Sequence, residues 1–266
     1  MSDPASPVAP APPRVRQAYI ALAFDIAMAI AIVLGVSLLC GMGWGLWRGF
    51  ALAREGAPMH EAMRQLGVPG TVFQVVSTIL AMVIAASTLL WWRRRPSREE
   101  WRHSLEAARR PGTWAWSIGT AVVTTLAVAV ITQLAATAGI HPDPSNDAVV
   151  RELMRRSPWL LWPFAVLLAP MYEEVLFRRV FFGRLLEAGR PWAALLVGSS
   201  LFALAHELPG VGANGAPATL VLWFAYATMG AGFAFAYRRC GTLWAAVLSH
   251  MLHNLFACAM LWWSIT

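Results

Sequence analysis

The sequence contains no lysine, and all of its 21 basic residues are arginines. Charge as a whole is scarce: charged residues make up 13% of the 266 positions, whereas soluble domains usually carry roughly 25%. Hydrophobic residues make up 58%, and several apolar runs reach the roughly 20 residues that cross a bilayer. This composition excludes an ordinary soluble enzyme and predicts an integral membrane protein with several spans.

Cysteine is also scarce. Cys40, Cys240 and Cys258 stand far apart, without a CxxC or other paired spacing, so neither a disulfide framework nor a thiol site is indicated. The net charge of +7 does not indicate nucleic acid binding, because the arginines stand at the ends of apolar runs. At such positions arginine is typical of a topology signal or a headgroup contact.

The apolar runs predict an all-α fold, a polytopic transmembrane bundle of about seven helices. The predicted spans cover residues 18–47, 71–92, 113–138, 158–186, 191–208, 218–237 and 242–264. The Pro- and Ala-rich residues 1–17 are predicted to be disordered. Residues 18–150 form an N-terminal three-span region, and residues 151–266 carry nearly all the ionisable groups of the spans. Just before the fourth span, DAVVRELMRRSP (residues 147–158) fits an amphipathic interfacial helix.

The arginines predict an orientation. Residues 93–111, RRRPSREEWRHSLEAARRP, form the most basic linker; the positive-inside rule places it, and with it the N-terminus, in the cytoplasm. The lysine-free, alanine-rich composition is typical of a GC-rich bacterium, so we expect a bacterial inner membrane. Six arginines then lie on the less favoured side: Arg48, Arg54, Arg64, Arg151, Arg155 and Arg156.

The segment EEVLFR, residues 173–178, places two carboxylates beside an apolar run. On a helix Glu174 and Arg178 are four residues apart and can pair on one face. Glu173 points about 100° away from Glu174 and is left to face a cavity. The alternative is that both glutamates lie among the lipid headgroups, if the span ends at Met171.

Two further segments place histidine inside spans. In FALAH, residues 202–206, His206 stands about fifteen residues into the fifth span, where it could instead simply hydrogen-bond a neighbouring helix. The sequence that follows, HELPG, is not a zincin motif, since HExxH would need histidine at Gly210. In HMLHN, His250 and Asn254 share a helix face, and each needs a polar partner in the membrane.

Together these segments supply a glutamate, two histidines and an amide at similar predicted depth. Such groups can activate water and stabilise a developing oxyanion. Glu173, His206 and His250 could equally hold a zinc ion with an open position for water. Either chemistry requires the Glu173 carboxylate and both imidazole rings to lie within about one water molecule of each other.

The three segments match, in order, the EExxxR, FxxxH and HxxxN motifs of the CPBP intramembrane protease family, and residues 155 to 260 resemble that family. It includes type II CAAX prenyl endopeptidases and bacteriocin-processing or immunity proteins. The resemblance implies an intramembrane endopeptidase core over residues 151–266. Its implied catalytic residues are Glu173, Glu174, His206, His250 and Asn254, with Arg178 and Phe202 as structural support.

The resemblance to this family implies that Glu173 activates the attacking water with the help of His206. Glu174 pairs with Arg178 and fixes the helix, while His250 and Asn254 polarise the scissile carbonyl and stabilise its oxyanion. Both a zinc mechanism and a metal-free glutamate mechanism suit these residues. The implied partners are the lipid bilayer and a membrane-bound peptide or protein, with a leader or bacteriocin-like precursor expected rather than a prenylated CAAX protein.

Two other functions are compatible with the same residues. A non-catalytic scaffold or immunity protein could keep the motifs and bind a partner protein. A proton-coupled transporter could use glutamate and histidine as a relay, but it predicts broken helices in paired repeats, and the sequence shows no internal repeat.

Overall fold

The structure, a computed structural model, describes residues 15–56, 58–210 and 213–265. Over these ranges the chain is helical and contains no strand. The helices are α1 (Val15–Arg54), α2 (Met59–Gln65), α3 (Thr71–Arg93), α4 (Arg98–Ala108), α5 (Pro111–Thr137), α6 (Asp147–Arg156), α7 (Pro158–Glu187), α8 (Pro191–His206), α9 (Ala216–Cys240) and α10 (Leu243–Ile265).

Among the described residues, six helices are long and apolar enough to cross a membrane: α1, α3, α5, α7, α9 and α10. The remaining predicted span is α8, which is apolar but only 16 residues long. The predicted all-α polytopic membrane bundle is therefore confirmed. Helix α8 ends at His206 and not at residue 208, since Leu208 precedes a proline and is steered away from helical geometry.

The N-terminal boundary differs from the sequence prediction. Most of the predicted disordered tail, residues 1–14, lies outside the described residues, but α1 already begins at Val15. The reason is that the last proline of the tail is Pro13, after which nothing prevents helix formation. The predicted helix in DAVVRELMRRSP is present as α6, which buries Leu153 and Met154 against the bundle.

Helix α7 is not regular. Residues Pro163–Leu168 and Val175–Phe182 form wide turns with i→i+5 hydrogen bonds, and the α-helical turn Ala169–Glu174 lies between them. Wide turns of this kind are rare and frequently occur at functional sites. They place Glu173 and Glu174 at the end of the regular turn, which packs against α3 and α10, while the following wide turn Val175–Phe182 packs against α8.

Helices α8 and α9 approach each other closely at Gly230. A Cβ atom at this position would lie 3.0 Å from the Cα of Ser199, so a larger residue would push the helices apart. Phe202, on the next turn of α8, is fully buried in the same core. This close contact fixes the end of α8 that carries His206.

An ionic cluster joins α1, α3, α4 and α7 at one end of the bundle. Asp25 of α1 is fully buried and accepts hydrogen bonds from Nε of Arg93 (2.8 Å) and of Arg184 (2.7 Å). Arg94 pairs with Glu187, and Arg179 with Glu100 at 3.1 Å. The sequence predicts that these arginines lie on one side of the membrane, and in the structure they lie together at one end of the bundle.

Glu100 has two functions in this cluster. Its carboxylate accepts from the Ser97 amide, which caps α4, and from Arg179 of α7. Burial acts to raise the pKa of Glu100, but the Ser97 amide and the Arg179 guanidinium outweigh burial and hold this pKa below its ordinary value. The linker helix α4 is therefore tied to α7 by charge.

Replacing Asp25 should loosen the bundle. In Asp25→Ala, Arg93 and Arg184 lose their shared acceptor, which should cost about 1–3 kcal/mol and lower the thermal unfolding midpoint in detergent. Glu187→Gln is the matched control, because this carboxylate is half-exposed and exposed pairs contribute at most about 1 kcal/mol. Equal midpoints for the two variants would contradict the structural role of Asp25.

Candidate active site

Glu174 lies at the centre of the candidate site. It is fully buried, and its Oε1 is 2.9 Å from Nδ1 of His250 on α10. Because an ionised carboxylate only accepts, Nδ1 donates in this bond. When the ring is neutral, the second nitrogen of His250, Nε2, then keeps its lone pair and is an acceptor. Glu174 thereby ties α7 to α10 and fixes the direction of the His250 ring.

Arg178 neutralises Glu174 from the same helix. Its Nε is 2.9 Å from Oε2 of Glu174, and both side chains are fully buried. The contact is an ion pair without hydrogen-bond alignment, so the guanidinium needs other support. Its carbon lies 5.1 Å from the ring centre of Phe202 and 6.0 Å from that of Phe233, where cation–π attraction offsets part of its desolvation.

His206 reaches the site from the end of α8. Its Nδ1 lies 2.8 Å from the backbone carbonyl of Phe202; since a carbonyl only accepts, Nδ1 carries a proton. The Phe202 and His206 rings contact each other at 4.3 Å between centres, and Tyr226 stacks on the His206 ring at 4.7 Å. His206 is thus held in one orientation, with Nε2 facing α7.

Glu173 lies between the two histidines. Its Oε2 is 3.6 Å from Nε2 of His206 and 3.9 Å from Nε2 of His250. This oxygen is buried and accepts no hydrogen bond from any described residue. With both rings neutral, three acceptor atoms face one another. Such atoms are stable at this separation when a proton, a water molecule or a cation is shared between them.

Asn254 lies beside the first wide turn of α7. Its Nδ2 donates to the carbonyl of Ala165 at 2.8 Å, in the first wide turn of α7. No described contact joins Asn254 to Glu173 or to either histidine of the site. One amide hydrogen of Asn254 therefore anchors α10 on α7. The neighbouring His253 bonds Thr125 of α5 at 2.9 Å instead of His250.

Two aromatic residues of the site were missed by sequence reasoning. Phe233 of α9 stacks on His250, with 4.5 Å between ring centres and 17° between planes. Tyr226, also on α9, stacks on His206. Tyr226 carries a weak signal, a polar aromatic residue within the apolar run LWFAYATMG. Phe233 carries none, because nothing distinguishes it from other apolar residues of its span.

The donor types of Glu173, His206 and His250 suit zinc, and their present separations are slightly wider than those of zinc ligands. Tetrahedral zinc ligands at ordinary bond lengths lie about 3.3 Å apart, whereas the two distances from Glu173 are 3.6 and 3.9 Å. In the described ranges no three His, Cys, Asp or Glu residues are arranged to hold a metal ion.

A cavity of about 530 Å³ lies elsewhere, between α4, α7 and α10. Its walls include Met171, Val175, Trp244 and Val247, and Arg179 and Glu100 stand in its polar part. Glu173 and the histidines of the site are absent from its lining. This cavity is therefore separate from the candidate site, and we assign it no part in the chemistry.

Comparison with known proteins points to one family. Residues 155–256, which include every motif residue above, match the family described as "Type II CAAX prenyl endopeptidase Rce1-like". The chain is also 27% identical over 122 residues to "Putative membrane peptidase YdiL" of Bacillus subtilis (strain 168). That match covers 46% of this chain and 45% of the relative, so the chain spans about half the length of the relative it matches. No solved structure matches.

Removing Arg178 should destabilise the site strongly. In Arg178→Leu the buried Glu174 carboxylate loses its counter-ion, which should cost about 3–5 kcal/mol, measured as a fall in thermal midpoint. The adjacent Arg179→Leu is the control, since its partner Glu100 is half-exposed. The double variant Glu174→Leu/Arg178→Leu should recover part of the loss. A larger effect at Arg179 than at Arg178 would refute the assigned role.

Proposed function

We propose that the chain, whose residues 155–256 match a CAAX endopeptidase-like family, is an intramembrane endopeptidase of the CPBP type that uses water activated by Glu173. The observation that carries the proposal is the buried Oε2 of Glu173, which is unpartnered among the described residues and faces Nε2 of both His206 and His250. A water molecule between these atoms would donate one hydrogen to the carboxylate and lie within reach of a histidine.

In the proposed reaction Glu173 takes a proton from this water while the hydroxide oxygen attacks the scissile carbonyl carbon. His206, fixed through Nδ1, orients the water with Nε2. The carbonyl oxygen becomes an oxyanion as the tetrahedral intermediate forms. Glu173 then returns its proton to the amide nitrogen and the carbon–nitrogen bond breaks. The new carboxylic acid passes its proton to the amine, so a carboxylate and an ammonium group leave. General acid–base steps of this kind contribute about 10²–10⁴-fold each.

His250 and Asn254 would stabilise the oxyanion. When both ring nitrogens of His250 carry a proton, Nδ1–H stays on the Glu174 carboxylate and Nε2–H can donate to the developing negative charge. Asn254 would donate with the amide hydrogen that Ala165 does not use. Glu174 acts through His250, and Arg178 and Phe202 act through Glu174 and His206, so these three are positioning residues in the proposal.

The proposed substrate is a membrane-bound peptide or protein, such as a leader or a bacteriocin-like precursor. The candidate site lies among helices that are apolar enough to span a membrane, so a substrate must reach it within or beside the bilayer. We further propose a bacterial inner-membrane location with a cytoplasmic N-terminus, supported by the shared bundle end of Arg93, Arg94 and Arg184.

Substituting Glu173 by glutamine tests catalysis and identifies the substrate. Membrane peptides of a strain carrying Glu173→Gln are compared by mass spectrometry with those of its parent, at matched protein levels. We expect an uncleaved precursor to accumulate. In purified protein, cleavage of that precursor should fall by at least about 100-fold, because glutamine cannot take the proton.

Glu187→Gln is the matched control and should leave the precursor profile unchanged, since this carboxylate belongs to the ionic end of the bundle. If the biological phenotype survives in Glu173→Gln with no accumulating peptide, the protein acts by binding, as a scaffold or immunity protein, and the peptidase proposal fails.

A chelator tests the metal alternative. Purified protein treated with 1,10-phenanthroline and then freed of chelator should cleave the precursor at an unchanged rate, because the proposed nucleophile is activated by Glu173 and not by a metal. Loss of cleavage that added zinc restores, together with zinc bound at one equivalent in the parent and absent in His250→Ala, would overturn the metal-free mechanism.

A further inference from the structure

Glu207 is a buried carboxylate that the proposed reaction does not use. It follows His206 directly, is 1% exposed, and forms no ion pair with a described arginine. Its Oε1 accepts from Nδ2 of Asn214 at 3.2 Å, and its Oε2 accepts from the backbone amide of Ser145 at 3.1 Å. Burying a carboxylate without a cation is costly, so its retention at this position calls for a function.

The partners of Glu207 come from two connections of the bundle. Asn214 lies in the connection from α8 to α9, and it also bonds the backbone of Asp143 in both directions: Nδ2 to the carbonyl at 2.7 Å and Oδ1 from the amide at 3.1 Å. Ser145 and Asp143 lie in the connection from α5 to α6. The Glu207 carboxylate therefore joins both connections beside the end of α8.

Two side chains from neighbouring elements bind backbone carbonyls at the end of α8. The hydroxyl of Ser145 donates to the His206 carbonyl at 3.2 Å, and Nε1 of Trp223 on α9 donates to the Glu207 carbonyl at 2.9 Å. The last carbonyls of a helix have no partner within the helix. Here the carbonyls of His206 and Glu207 both accept hydrogen bonds from side chains of other elements.

His206 needs such support because it is the last residue of α8. Glu207 has left the helix, with φ −141° and ψ 107°, so no further turn of helix holds His206 from the C-terminal side. An unsupported final turn frays, and a displacement of about 1 Å at a reacting group can cost about 100-fold in rate. The 3.6 Å separation from Glu173 depends on this helix end.

We propose that Glu207 is a positioning residue for His206: by joining the Asn214 and Ser145 connections to the end of α8, it holds Nε2 of His206 against Glu173. This inference rests on the proposed peptidase function for its kinetic consequence. It assigns a role to a carboxylate outside the EExxxR, FxxxH and HxxxN motifs, and it explains why α8 can end at a reacting residue.

The kinetic test uses the full chain in lipid nanodiscs with the precursor identified above. Glu207→Ala should lower kcat by about 10–100-fold and leave KM unchanged, because His206 acts on water rather than on substrate binding. Glu207→Gln keeps one acceptor and should restore part of the rate. Glu187→Gln is the control carboxylate. An unchanged kcat in Glu207→Ala, or a loss confined to KM, would overturn the proposal.

A second measurement is independent of activity. Hydrogen exchange of the peptide that covers residues 200–207 should accelerate in Glu207→Ala, while exchange in α7 and α10 stays at the parent level. Unchanged exchange at the end of α8 would refute the anchoring role. If the parent cleaves no precursor but exchange accelerates as expected, the peptidase function fails and the anchoring of His206 stands.

Discussion

The ion pair and hydrogen bond of the buried Glu174 carboxylate are the interaction on which the site depends. One oxygen faces Arg178 and the other holds Nδ1 of His250, so this single group joins α7 to α10 and sets the ring direction. Arg178 makes the buried charge tolerable and is itself covered by Phe202 and Phe233. Glu173, the next residue back, is thereby left without a cation, with its Oε2 directed at both Nε2 atoms.

Contacts at the periphery of the bundle hold the wide turns of α7 in place relative to Glu174 and its partners Arg178 and His250. At one end, Asp25 and Glu100 tie α1 and α4 to arginines of α3 and α7. Deeper in the bundle, Asn254 binds the Ala165 carbonyl that the first wide turn leaves available. The described residues of the N-terminal helices thus pack around α7 but make no described hydrogen bond or ion pair with Glu173.

Much of this arrangement could be predicted from the sequence. Long apolar runs predict the spans because a bilayer requires them, and the i, i+4 spacing predicts the Glu174–Arg178 pair. The partners of Asn254 and Glu207 could not be predicted. They are a backbone carbonyl in an irregular turn for Asn254, and a backbone amide and a side-chain amide in two connections for Glu207. Such contacts depend on how helices far apart in the sequence pack. The start of α1 at Val15 was missed because its first residues are not apolar enough to count as span.

The convergence of Glu173, His206 and His250 is the central claim, and nitrogen NMR of histidine-labelled protein tests it most directly. At alkaline pH, where both rings are neutral, His206 and His250 should carry their proton on Nδ1 and not on Nε2. The Nδ1-protonated form is the less common tautomer of neutral histidine. Substitution of Glu173 by glutamine should shift the Nε2 signals of both rings, with assignments taken from His206→Gln and His250→Gln. Nε2-protonated rings, or a substitution that moves neither signal, would contradict the shared site.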